Sequence, residues 1–190
     1  MNITLSWDLF VLVFFVVIVA YSFIIGRDNT LKVILGTYVA ALAADAAGNL
    51  FAHYFMGAPL FTDIVRLAEL GNDAEVVVFT KVMLFVLMVI LFAVKGAFTV
   101  DTDEGGSPVI KIALSVFYAV MSAGLIISVI LVFVSGIDFV GGGNDQTTTT
   151  ALFTISNKSA IIKAMLDYTY IWFSLPALAF LIHSLQTPKE

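Results

Sequence analysis

The sequence predicts an all-α integral membrane bundle of about five transmembrane helices plus one short amphipathic interfacial helix. Two observations carry that expectation. First, 61% of the 190 residues are hydrophobic and only 12% are charged, with a mean hydropathy of +1.04. A soluble fold of this size must turn a large share of its area to water and could not hide so much apolar surface. Second, the apolar residues fall into five long runs without period-2 alternation, which disfavours membrane β-strands. A spanning helix needs roughly 20 mostly apolar residues, and in lipid such a run satisfies its backbone groups only as a helix.

The first run covers residues 7–25 and is dense in Val, Phe and Ile. No Lys or Arg precedes it and Asp8 sits at its start, so it reads as a retained span and not as a cleaved leader with a positive start. The polar turn 26–30 (GRDNT) joins it to an Ala-rich run at 31–55, which predicts antiparallel neighbours. Residues 59–70 then place Phe61, Ile64, Leu67 and Ala68 at helical spacing, with Asp63, Arg66 and Glu69 on other faces. Pro59 suits the start of that segment and Gly71 its stop, so it reads as the interfacial helix, or as one packed over the bundle ends.

The third run, 76–98, carries Lys81 and Lys95, which are expected to snorkel from its two ends. An acidic turn, 101–107, leads through Ser107 as N-cap and Pro108 as first helical residue into the fourth run, 108–139. That run exceeds what a bilayer requires and must tilt, kink or project. Residues 141–150 (GGGNDQTTTT) read as a flexible watery loop, and 161–185 forms the last span, with a kink expected at Pro176. The whole chain, 1–190, reads as one transmembrane domain.

Polar residues inside the spans mark candidate sites, because a charge at mid-membrane costs roughly 2.5–3.5 kcal/mol on insertion scales. Asp45, Asn49 and His53 follow at i+4 steps and drift only about 40° per step, so they share a stripe. With Asp167 in support, they form a candidate path for protons or cations. The structural alternative makes Asp45 a protonated acid bonded to a neighbouring helix, Asn49 an interhelical donor and His53 a headgroup-zone residue. On what reads as the opposite face, Gly36, Ala40, Ala44 and Gly48 form a small-xxx-small series suited to close packing, within the chain or with a second copy. In the last span Lys163 and Asp167 are one turn apart and can pair, with Tyr170 and Ser174 on roughly the same side. Asp8, next to Trp7, is read as an interfacial acid.

Several classes are disfavoured. The net charge of −5 with no basic cluster argues against nucleic acid as a partner and against a strong anionic-lipid patch. There is no cysteine, and the two histidines lie far apart, which leaves no thiolate chemistry and no His-based metal centre. No phosphate loop, HExxH or nucleophile–base set is present, so no catalytic residue, metal or cofactor is expected. The expected partners are the lipid bilayer and either further copies of the chain or a larger membrane complex. Five of the nine cations, Arg27, Lys32, Lys95, Lys111 and Lys189, fall on one side of a five-span topology. The positive-inside rule then places the N-terminus outside and the C-terminus in the cytoplasm.

Ser6-Trp7-Asp8, the apolar helix after it, Gly26-Arg27 at its exit and the Ala-rich helix from Leu31 resemble the colicin V production protein family. Those are small bacterial inner-membrane proteins of four or so helices with an amphipathic connection after the second, linked to secretion and envelope homeostasis. The resemblance covers roughly residues 6–75 and implies a non-enzymatic role in such a membrane. The family's exit carries a pair of glycines flanking basic residues, where this chain has Gly26, Arg27 and then Asp28. The fifth span and the Gly/Thr-rich loop are further departures. The rival expectation is a proton- or cation-translocating protein or subunit that uses Asp45.

Overall fold

The computed structural model describes residues 7–55, 73–95, 108–140 and 159–186. Among them the regular structure is helical: α1 (Trp7–Ile25), α2 (Arg27–Phe55), α3 (Asp73–Lys95), α4 (Pro108–Val134), α5 (Ala160–Asp167) and α6 (Thr169–Gln186). Four are long and apolar enough to cross a membrane, or five crossings if the bent α5–α6 pair counts as one. The expected interfacial helix at 59–70, the acidic turn at 101–107 and the loop at 141–150 lie outside the described residues.

α4 is the axis of the bundle and touches the other five helices. Every residue from 121 to 129 is buried, including Ser122, Ala123 and Gly124, whose small side chains admit close neighbours. α1 packs chiefly on α4, and α2 chiefly on α3. α1 and α3 keep most of their large side chains outward, among them Leu12, Val16, Val17, Leu87 and Leu91. In lipid such exposure is unpenalised, since the surrounding chains are as apolar as leucine.

The ends of the bundle are pinned by turn chemistry. Gly26 takes φ +82°, closes α1 through its N–H to the Ser22 carbonyl at 3.2 Å, and accepts from the Thr30 N–H at 3.0 Å. A single residue thus ends one helix and starts the next, while the Thr30 hydroxyl donates to the same two carbonyls at 3.1 and 2.8 Å. Phe10 and Val11 near the start of α1 share a pocket with Val82 of α3, next to the Lys81 that Asp45 late in α2 meets, so α1 and α2 run antiparallel. Nothing lies within 4 Å of a Cβ built on Gly26, so substitution there strains only the backbone. Gly26→Ala is expected to lose about 1–2 kcal/mol, and Gly26→Asn less, read from unfolding midpoints in mixed micelles. Equal midpoints for all three would mean that this turn has another way to form.

Two expectations are corrected. The fourth run does not stay helical to residue 139. α4 stops at Val134 in a Schellman motif: the Gly136 N–H donates to Phe133 O at 3.0 Å and the Ile137 N–H to Val132 O at 3.3 Å, with Gly136 at φ +78°. Residues 137–140 then continue without helix, apolar except for Asp138, and are tied back onto α2 and α3.

The fifth run bends by 55°, but not at Pro176, through which α6 runs unbroken. The break falls at Tyr168. Next to it the Thr169 hydroxyl donates to the Met165 and Leu166 carbonyls, at 3.1 and 2.7 Å, and replaces backbone bonds of the last α5 turn. The buried Pro176 has no N–H for the Trp172 carbonyl, and at the next residue the Tyr38 hydroxyl donates to Phe173 O at 2.5 Å.

Candidate functional site

Asp45 is fully buried, on α2, and meets groups from α3 and from the segment after α4. Its Oδ2 accepts from the backbone N–H groups of Phe139 and Val140 at 2.8 and 2.6 Å. Its Oδ1 faces the Lys81 ammonium of α3 at 2.7 Å, an ion contact outside hydrogen-bond alignment. The same ammonium donates to Asp138, just beyond α4. Side-chain exposure falls from 35% at Asp138 to 4% at Lys81 and zero at Asp45, so the cluster runs inward from the bundle end.

The expected snorkelling of Lys81 is therefore wrong. Its charge goes into the protein because two carboxylates await it there, and removing a lone ammonium to such a site would cost several kcal/mol. Gly48 makes that path available: a Cβ there would stand 2.3 Å from Lys81 Cγ, so the lysine stem lies directly on the α2 backbone. Gly36, one end of the same small-residue series, likewise takes Phe92 of α3, whose Cβ would be 2.7 Å from an added methyl. Ala40 and Ala44 are buried between them. The series is thus occupied by a helix of the same chain, and it is not opposite the Asp45 stripe. Ala44 and Asp45 are about 100° apart, and both sides meet α3 and its neighbours.

The remaining candidate residues do not extend the cluster into a path. Asn49 donates from Nδ2 to the Val140 carbonyl at 2.8 Å, a second tie on the segment that Asp45 holds. His53 is exposed on the last turn of α2, with its ring edge-on to Tyr54 at 4.9 Å between centroids. Asp167 is exposed at the end of α5, which packs on α1 and α4. Among the described residues Lys163 and Asp167 do not form an ion pair, and no group of three His, Asp or Glu is placed to hold a metal.

Two features escaped the sequence. Asp138 sits in an apolar stretch that reads as helix, and only Ser135-Gly136, a helix-stop signal, hints that the chain turns back there. Asp8 is no free interfacial acid: it accepts from the Ser159 hydroxyl and from the Ile161 N–H at 3.3 Å, while Ser159 caps Ile162 at 3.1 Å. α1 thereby helps cap α5 across the bundle. On α4, the buried Ser122 and Ser128 hydroxyls have no hydrogen-bond partner among the described residues.

The helices and this cluster define the class, a polytopic α-helical membrane protein with an internal ion-pair network. Comparison with protein-family models, with curated proteins and with solved structures finds no match.

Proposed function

We propose that this chain is a small polytopic membrane protein with a non-enzymatic assembly role in envelope or secretion processes of a bacterial inner membrane. The observation that carries the reading is the closure of the polar cluster. Among the described residues Asp45 Oδ2 accepts two backbone hydrogen bonds, its Oδ1 is held by ion contact with Lys81 alone, Lys81 is matched by two carboxylates, and Asn49 is spent on Val140. A translocation path needs groups that change partners, whereas this network holds three segments in fixed register. The likeness of residues 6–75 to the colicin V production proteins adds the envelope and secretion context. The outward apolar faces of α1 and α3 supply area for a second copy or for a larger membrane complex.

Charge segregation supports an orientation. Among the described residues the Gly26 end carries Arg27, Lys32, Lys95 and Lys111 against Asp28, whereas the other carries Asp8 and Asp138 against Lys163, with Lys81 internally neutralised. By the positive-inside rule the Gly26 end is cytoplasmic, with the N-terminus outside and the C-terminus inside.

One observation favours the rival, proton or cation translocation: Asp138 is about one-third exposed and touches the buried Lys81, which gives the cluster a water-facing member. Flux measurements separate the two. Liposomes carrying purified protein are expected to show no proton or cation flux above empty vesicles, in the original or in Asp45→Asn. Native-membrane extraction into nanodiscs is expected to yield a particle heavier than one chain. Flux that disappears in Asp45→Asn would overturn the assembly reading, and so would a particle containing a single chain and lipid only.

A further inference from the structure

We propose that the cleft between α1 and α3 holds one hydrocarbon chain of a bilayer lipid. α1 packs chiefly on α4 and α3 chiefly on α2, which leaves the two helices apart over one face of α4. The space between them encloses about 260 Å³. Ile127, Ile130 and Val134 of α4 form its floor, Phe14 of α1 and Val86 of α3 its sides, and Ile162 of α5 lines it too. Every described residue around it is Val, Ile, Leu or Phe, so its walls offer nothing to water or to a polar ligand. An engineered hole of about 150 Å³ with such walls stays dry and takes up benzene, and by that measure this one has room for about ten carbon atoms.

Shape and access select a chain over other apolar occupants. The floor residues follow at i, i+3 and i+7, a stripe about 10 Å long parallel to the helix axis. A helix of a second copy is about 10–12 Å across with its side chains, and 10 Å of its length fills about three times this space. Val86 lines the cleft and is also 36% exposed on the outward face of α3, with Met83 and Ile90 beside it, so the space opens sideways to lipid. Ile127 at the floor is only 3% exposed, out of reach of lipid that lies against the outer surface. In a bilayer the gain comes from packing: an empty cleft forfeits dispersion contacts that a chain restores, and neither side gives up water. The cleft lies toward the Asp8 end of the bundle, since Ile162 is three residues from the Ser159 that meets Asp8. The occupant is therefore a lipid of that leaflet, its headgroup at the surface and one tail between the helices. The inference is independent of the assembly role: it needs only that the chain sits in a bilayer.

The test is photolabelling of the full-length protein in phosphatidylcholine liposomes doped with phosphatidylcholine that carries a diazirine midway along one acyl chain. Labelled residues are read by peptide mass spectrometry. In wild type, label is expected on Ile127 and Ile130 at the floor as well as on the outward Leu12 and Leu91. Val86→Phe narrows the opening and should lower the floor label about tenfold, within the range set by overpacking a filled space with a larger side chain. Unchanged label on Leu12 and Leu91 shows that this variant keeps its fold. Ile130→Ala widens the cleft from within and should maintain or raise the label on Ile127. Absence of floor label in wild type would overturn the proposal, as would equal floor label in Val86→Phe. Floor label from free adamantane diazirine but none from the lipid would overturn it in favour of a small apolar molecule. Floor label that appears only at one chain per liposome would assign the cleft to a side chain of a second copy instead.

Discussion

Lys81→Met is expected to destabilise the protein by about 3–5 kcal/mol, the loss typical of removing one partner from a buried ion pair. The apolar stem is largely kept, so packing against Gly48 survives. What remains is Asp45 with zero exposure and its Oδ1 facing nothing of opposite charge. Reversible unfolding in mixed micelles, followed by far-UV circular dichroism, reads the effect directly. Adding Asp45→Asn to Lys81→Met should recover most of the loss, because the amide oxygen can still accept from Phe139 and Val140 while the unpaired charge is gone. Asp138 needs no such rescue, since a third of its side chain reaches solvent. A loss below about 1 kcal/mol for Lys81→Met would instead match a solvent-screened surface pair, and the network would then not be what holds the segment after α4.

Gly124→Leu is expected to force α6 away from α4. Even a Cβ at Gly124 would stand 2.0 Å from Trp172 Cε3 and 2.3 Å from Cζ3, deep inside contact distance of a rigid ring. Overpacking of this kind typically costs about 1–3 kcal/mol, and the leucine belongs at the upper end. Gly124→Ala should cost less, and in a Trp172→Ala background the further cost of Gly124→Leu should shrink, since the first change vacates the space. In a Trp7→Phe background Trp172 is the sole tryptophan, so its emission reports on the displaced helix. An unchanged spectrum and midpoint in Gly124→Leu would mean that α6 does not rest on α4 through this contact.

The two predictions draw on different amounts of sequence information. Asp45 stands out in the sequence because a carboxylate fifteen residues into an apolar run is costly wherever it points. Its partner does not stand out. Lys81 lies near the end of its run, where lysines ordinarily reach for the headgroups, so hydropathy gives it a bland role. Whether it turns inward depends on the register of α3 against α2, a non-local quantity. The Gly48 contact under its stem sets that register, and so does the Gly36 contact under Phe92. Gly36 and Gly48 themselves were legible, because small residues at four-residue steps mark a close helix contact whichever helix fills it. Which helix fills it was not.

Composition and run length by themselves determined the class, since so much apolar surface at this length has no stable place in water. They also marked Gly26 as the joint between the first two helices, although residues 27–30, which read as part of a polar turn, are already helical. Tertiary structure alone decided where the fourth helix stops and where the last run breaks. Ile137, Phe139 and Val140 are as apolar as the helix before them, and hydropathy cannot distinguish helix from a returning strap whose N–H groups a buried carboxylate satisfies. At Tyr168 no glycine or proline announces the break, while Pro176 is accommodated within a helix in close contact with Tyr38. A charge pair, a strap and a bend are each settled by groups that meet only after the chain has folded. The membrane-spanning character is settled residue by residue, because transfer into lipid is nearly additive along the chain.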